Sequence, residues 1–223
     1  MTPPEAARGI LAAMEQAPHI THLIDDVAAL EALFGPVGEA SLRKQSSTLP
    51  PVYRAMVEAA PFAVLATVGP GGLDASPRGD APGVVVVHDE RTLLLPERRG
   101  NNRIDSLRNI VADPRVGLLF LIPGVGETLR VNGRARISVE PALLARLAVQ
   151  GAEPKCVLVI TVDEVFFQCA RAIARSNLWA PVAPGAARPV PTAGAILAAL
   201  TNEEVGGKAY DDGLDARQRS SLY

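Results

Sequence analysis

Residues 92–137 run TLLLPERRGNNRIDSLRNIVADPRVGLLFLIPGVGETLRVNGRARI. The first four make a short strand, and residues 97–103 break it with charge, glycine and asparagine. Asn102 stands as a helix N-cap, with Asp105 three residues on in a capping-box relation. Ile104, Leu107, Ile110 and Val111 then share a helical face, and Asp113-Pro114 ends the helix. Residues 116–122 (VGLLFLI) are a buried strand, 123–126 a turn, and 128–131 a further strand. Asn132-Gly133 is the strongest short hairpin signal in the chain, which makes 134–139 the return strand.

Upstream, residues 62–68 (FAVLATV) form an apolar strand that enters a hairpin at Gly69-Pro70-Gly71-Gly72, and 73–77 lead out of it. Residues 83–88 (GVVVVH) are β-branched and read as the next strand. Strands joined by such short loops imply an antiparallel meander. Downstream, 141–150 read as a helix and 157–167 (VLVITVDEVFF) as a long strand. Before residue 60 the pattern is helical, over 5–16, 25–34 and 51–60. From Trp179 the composition turns to Ala, Pro and Gly, a linker texture, followed by a short helix over 195–202 and a polar tail. The prediction is a small barrel of six or seven antiparallel strands in a mainly β (α+β) chain. Three regions are expected: helices over 1–60, the barrel over 61–180, and linker plus tail over 181–223.

The chain has 223 residues, 48% of them hydrophobic and 21% charged, enough to bury a core without metal or disulfide support. A net charge of −2 argues against a general nucleic-acid binder, so any positive patch must be local. The two cysteines, Cys156 and Cys169, fit no zinc or redox spacing and are expected as core thiols of a reducing compartment. No secretion signal and no bilayer-length apolar run is evident, so a soluble cytoplasmic protein is expected.

His19 and His22 lack completing ligands, so no metal site is expected. A nucleophile elbow, a P-loop and a dinucleotide fingerprint are all missing. What stands out is arginine. Arg78 lies in SPRGD (76–80), and Arg98, Arg99 and Arg103 flank Gly100, Asn101 and Asn102 just before a helix. A helix start carries free N–H groups and partial positive charge, and arginine's planar fork matches phosphate oxygens. The segment reads either as a monophosphate cradle or as a solvated charged loop.

SPRGD together with residues 92–137 resembles the pyridoxamine 5′-phosphate oxidase-like superfamily of FMN-binding split barrels. It is most similar to a bacterial branch of FMN-dependent flavoproteins sharing the blocks DSLRNI-x-x-x-PRVGLLF and ETLRVNGRA. The resemblance covers about residues 45–180 and is thin at both ends. It implies a split β-barrel that binds FMN in a homodimer, each site built from both chains at the interface. Carried over, it puts Arg98, Arg99, Asn101, Asn102 and Arg103 at the FMN phosphate, and Arg78 near the flavin or the ribityl–phosphate region. Glu127 and Thr128 would approach the ring from the partner subunit, and Arg175, Ser176 and Trp179 would close the site. The implied activity is FMN-dependent oxidoreduction of a small molecule. The oxidases proper grip their substrate with a C-terminal Arg and His, and residues 211–223 (DDGLDARQRSSLY) hold no histidine, which sets vitamin B6 oxidation aside. The alternatives are a non-catalytic flavin-binding or storage protein and a deazaflavin-dependent reductase.

Overall fold

The computed structural model describes residues 21–223. The helix expected over 5–16 and His19 lie outside them. The chain divides into two compact units, Met1–Arg43 and Lys44–Tyr223. In the first, α1 (Val27–Phe34) and α2 (Glu39–Arg43) are described. The Asp26 carboxylate caps α1 by accepting from Ala29 N–H, and Gly35 at φ 72° ends it.

The second unit opens with α3 (Pro51–Ala59), whose Val57 is fully buried. Seven strands follow: β1 (Phe62–Gly69), β2 (Gly72–Gly79), β3 (Val86–Val87), β4 (Thr92–Glu97), β5 (Arg115–Leu121), β6 (Thr128–Ser138) and β7 (Cys156–Gln168). They make one antiparallel sheet in the order β2-β1-β5-β6-β7-β4-β3. Between them lie α4 (Asp105–Ala112), after β4, and α5 (Pro141–Arg146), after β6. After β7 come α6 (Arg171–Ser176), α7 (Ala193–Leu200), α8 (Gly207–Asp212) and α9 (Leu214–Arg219).

Strand alternation sends one set of side chains inward. Leu65, Leu93, Leu95, Phe120, Leu129, Leu158 and Ile160 are all fully buried in one continuous core. A smaller cluster of Leu94, Leu147 and Val157 lies under Leu143 and Leu144 of α5, on the other face of β4 and β7.

β2 is one edge of the sheet and β4 is next to the other. Yet Arg78 on β2 meets Glu97 on β4 at 2.8 Å, and Asp80 just past β2 meets Arg98 just past β4 at 2.9 Å. The sheet is therefore rolled until its edges face each other, and side chains rather than backbone bonds span the gap. The expected antiparallel split β-barrel is what forms.

Two strand expectations are corrected. Asn132-Gly133 is not a hairpin turn. Residues 128–138 are one strand, with a register shift between Asn132 and Gly133. A Cβ on Gly133 would sit 2.2 Å from the Thr161 carbonyl oxygen, so the glycine serves a close backbone approach at a bulge. Residues 83–88 pair only at Val86–Val87, because Gly83 and Val84 N–H both donate to the Ala60 carbonyl at the end of α3.

The outward face of β2-β1-β5 is largely apolar. Leu73, Ala75 and Pro77 register against Val68, Ala66 and Val64, and Ala66 and Val64 in turn neighbour Gly117 and Leu119. Leu73 is 88% exposed.

Candidate functional site

The seam between β2 and β4 opens into a cleft of about 650 Å³ that continues along the loop into α4. Alternation on β2 leaves Asp74, Ser76 and Arg78 half-buried along it, and Leu73, Ala75 and Pro77 more exposed. Val84, Leu95, Pro96 and Leu107 give it an apolar wall.

Its arginines are mostly committed. Arg78 donates to Glu97, to Ser76 Oγ at 2.7 Å and to the Pro77 carbonyl at 3.0 Å. The Arg78 and Glu97 side chains are each only 16% exposed. Arg98 Nε donates to Asp80, and its Nη1 donates at 2.7 Å to the Leu147 carbonyl, which α5 holds under the sheet. Arg103 pairs with Asp105 at 2.8 Å in the open. Arg99 is exposed and has no hydrogen-bond partner or ion pair among the described residues. Lys155, which sequence reading had not singled out, donates from Nζ to Asn102 Oδ1 at 2.8 Å and brings a fifth cation to the cleft.

The loop differs from expectation in one respect. Asn102 is not the helix N-cap: α4 starts at Asp105, and the cap position is Ile104, left-handed at φ 49° and without a side-chain cap. Asn102 is itself left-handed at φ 60°, and its side chain is spent on Lys155. Asn101 Oδ1 instead accepts from Arg103 N–H at 3.1 Å, an Asx turn. The first N–H groups of α4 therefore have no side-chain cap. Ser106 Oγ donates to Asp74 at 2.9 Å, and Asn109 donates to Thr67 at 3.0 Å, pinning α4 across β1 and β2.

Six of the sequence-derived site residues, Arg78, Arg98, Arg99, Asn101, Asn102 and Arg103, thus line one cleft. The other five do not. Glu127 and Thr128 sit at the β5–β6 turn, where Trp179 Nε1 donates to the Val125 carbonyl at 2.7 Å. Arg175 and Ser176 are exposed on α6, and Ser176 Oγ donates to the Ile173 carbonyl at 3.1 Å. These residues form a second locus, apart from the cleft of the same chain.

Sequence reading also passed over Asp80, Glu97 and Tyr223. The period-two row Asp74, Ser76, Arg78, Asp80 carried a signal for the first of these; nothing local marked Tyr223. Its hydroxyl donates to Asp80 Oδ1 at 2.7 Å, and the Arg98 guanidinium lies 5.8 Å from its ring centre. Burial alone would raise the Asp80 carboxyl, but hydrogen bonds from Tyr223, Arg98 and Ala81 N–H outweigh it and hold it below the usual range. The same bond to Asp80 pushes the Tyr223 phenol up. Cys156 lines the cleft as a free, buried thiol, raised by burial and then by the Glu97 charge. Cys169 is free too, but exposed rather than a core thiol, because it lies just past the end of β7.

The sequence profile of the pyridoxamine 5′-phosphate oxidase family matches residues 49–169, which contain all seven strands and the cleft. The chain belongs to that family. Among curated proteins, none matches it. Several solved structures are similar to this family member. HupZ of Group A Streptococcus is 20% identical at a TM-score of 0.42, covering 52% of this chain and 90% of that one. General stress protein 26 of Bacillus anthracis is 17% identical at 0.38, covering 51% and 88%. A Clostridium acetobutylicum protein related to general stress protein 26, described as of the pyridoxinephosphate oxidase family, is 15% identical at 0.41, covering 52% and 84%. No helix among the described residues is long and apolar enough to cross a membrane.

Proposed function

We propose that the cleft binds FMN and that the protein is an FMN-dependent oxidoreductase for a small molecule other than pyridoxamine 5′-phosphate. The observation that carries this reading is the cleft's polarity. Arg99 and Lys155 line both the cleft and the smaller cavity beside it, the uncapped start of α4 lines the cleft too, and Val84, Leu95, Pro96 and Leu107 wall it. A ligand with a dianionic phosphate and a flat apolar ring suits such a site, and flavin is the common cofactor of this family. The donor set fits: two cations without a carboxylate partner, plus backbone N–H groups, answer a terminal phosphate. When bound, flavin supplies the hydride and electron transfer, so the chain's own task is to bind, orient and exclude water. The Arg78–Glu97 pair would sit along the ring and ribityl portion, holding β2 in place. The tail sets the Tyr223 phenol against Asp80, beside the cavity that adjoins the cleft.

The same reading includes a homodimer. The apolar outer face of β2-β1-β5 is a surface that a second copy would cover. Thr128 belongs to that outward side, since its neighbour Leu129 points into the core. A partner docked there could bring Glu127, Thr128, Arg175, Ser176 and Trp179 to the cleft that they do not reach within one chain.

Purified protein should carry FMN, released on denaturation and identified by mass, and should oxidise a reduced nicotinamide when an electron acceptor is supplied. Arg99→Ala should weaken FMN by roughly ten- to a hundredfold, as loss of a charge-assisted phosphate contact does, and leave riboflavin nearly unchanged. Equal loss for both flavins would move the phosphate away from Arg99. A deazaflavin in the mass spectrum would replace the cofactor, and flavin without turnover would make the protein a carrier.

A further inference from the structure

We propose that Tyr223 and Asp80 are positioning residues for the phosphate end of the cleft, acting through Arg98. The inference rests on the reading of that end as an anion site, whichever phosphate-bearing ligand occupies it. Tyr223 lies 143 residues from Asp80 in sequence, yet its hydroxyl takes one carboxylate oxygen at 2.7 Å while Arg98 Nε takes the other at 2.9 Å. Asp80 is thereby bridged between a neutral donor and a cation. Arg98 Nη1 is fixed on the Leu147 carbonyl, and Nη2 has no hydrogen bond among the described residues. The guanidinium plane is set by three anchors: Asp80, the Leu147 carbonyl and the Tyr223 ring. Nη2 is the donor left for an incoming anion.

A second cavity of about 340 Å³ adjoins the same cradle. Tyr223 and Glu153 line it together with Arg98, Arg99, Asn102 and Lys155, four residues that also line the main cleft. Tyr223 is therefore part of the wall of the cavity that shares this cradle. A fixed guanidinium loses less freedom when it binds a phosphate oxygen, so loosening the anchor should weaken phosphate and spare the ring.

The test is a double-mutant cycle of Tyr223→Phe and Arg98→Ala, read as affinity for FMN and for riboflavin. Tyr223→Phe keeps the ring and removes only the hydroxyl. It should lower FMN affinity roughly three- to tenfold, leave riboflavin unchanged, and have no further effect once Arg98 is alanine. A purely structural tyrosine would weaken both flavins alike, or act undiminished without Arg98, and either result overturns the relay. Thermal stabilisation by inorganic phosphate runs alongside. If phosphate stabilises the wild type and Tyr223→Phe weakens that effect, the relay stands even where no flavin binds and the flavin reading fails. A wild type stabilised by neither flavin nor phosphate overturns both.

Discussion

Asp80 receives three donors: the Tyr223 hydroxyl, Arg98 Nε and the N–H of Ala81. Its side chain is 9% exposed, so the charge is paired where water reaches it poorly. The folded pKa lies below the unfolded value of about 3.9. Stability from this carboxylate is thus complete above about pH 4 and is lost as pH falls through the lower folded value. Asp80→Asn should be less stable than wild type at neutral pH, with a shallower fall in urea-unfolding stability below pH 4. Parallel acid limbs for the two proteins would show that Asp80 is not the titrating group. The arginines beside it were visible in the sequence because RRGNNR is locally dense in charge. Less visible were the long-range carboxylate pairs, Arg98 with Asp80 and Arg78 with Glu97. Only the register of β2 against β1 and of β4 against β7, with the rolling of the sheet, brings them together.

At the level of elements, the hydrophobic runs were sound guides: 116–122 and 157–167 appear as β5 and β7 with shifts of a residue at their ends. Turn chemistry was the weaker guide. Asn-Gly favours a two-residue hairpin because both residues tolerate positive φ. In β6 that dipeptide meets a different demand, the approach of the Thr161 carbonyl from β7, which only the paired strand reveals. Gly133→Ala should therefore cost about 1–3 kcal/mol in chemical denaturation, the range for forcing an atom into a packed place. Gly71→Ala, whose Cβ would meet nothing within 4 Å, should be near neutral. If Gly133→Ala is as mild as Gly71→Ala, the bulge is more yielding than the strand spacing implies. The N-cap reading failed for a related reason. Asn102 has the right side chain for a cap, but Lys155, 53 residues away, competes for it and wins.

For the molecule as a whole, the sheet presents a solvated row on β2 toward the cleft and an apolar face outward. Ala66 lies at the middle of that outward face, between Ala75 and Gly117. Ala66→Arg should yield a monomer by sedimentation, with the ligand-free unfolding temperature little changed and FMN affinity reduced by loss of the partner's residues. A monomeric wild type, or a variant that still dimerises, would remove the dimer from the proposal. The barrel itself could be foreseen from alternating apolar runs, whereas its gap could not, since an unpaired edge leaves no mark on hydrophobic periodicity. That gap also divides the labour among strands. β2 hydrogen-bonds along one side only, to β1. The row Asp74, Ser76, Arg78 thus stands on an edge strand with one side free of ladder bonds, while β5, β6 and β7 hold the sheet together behind it. Side chains on such a margin can change with little cost to the ladder, so on the proposed reading the β2 side of the cleft is the part most easily rewritten for a new ligand.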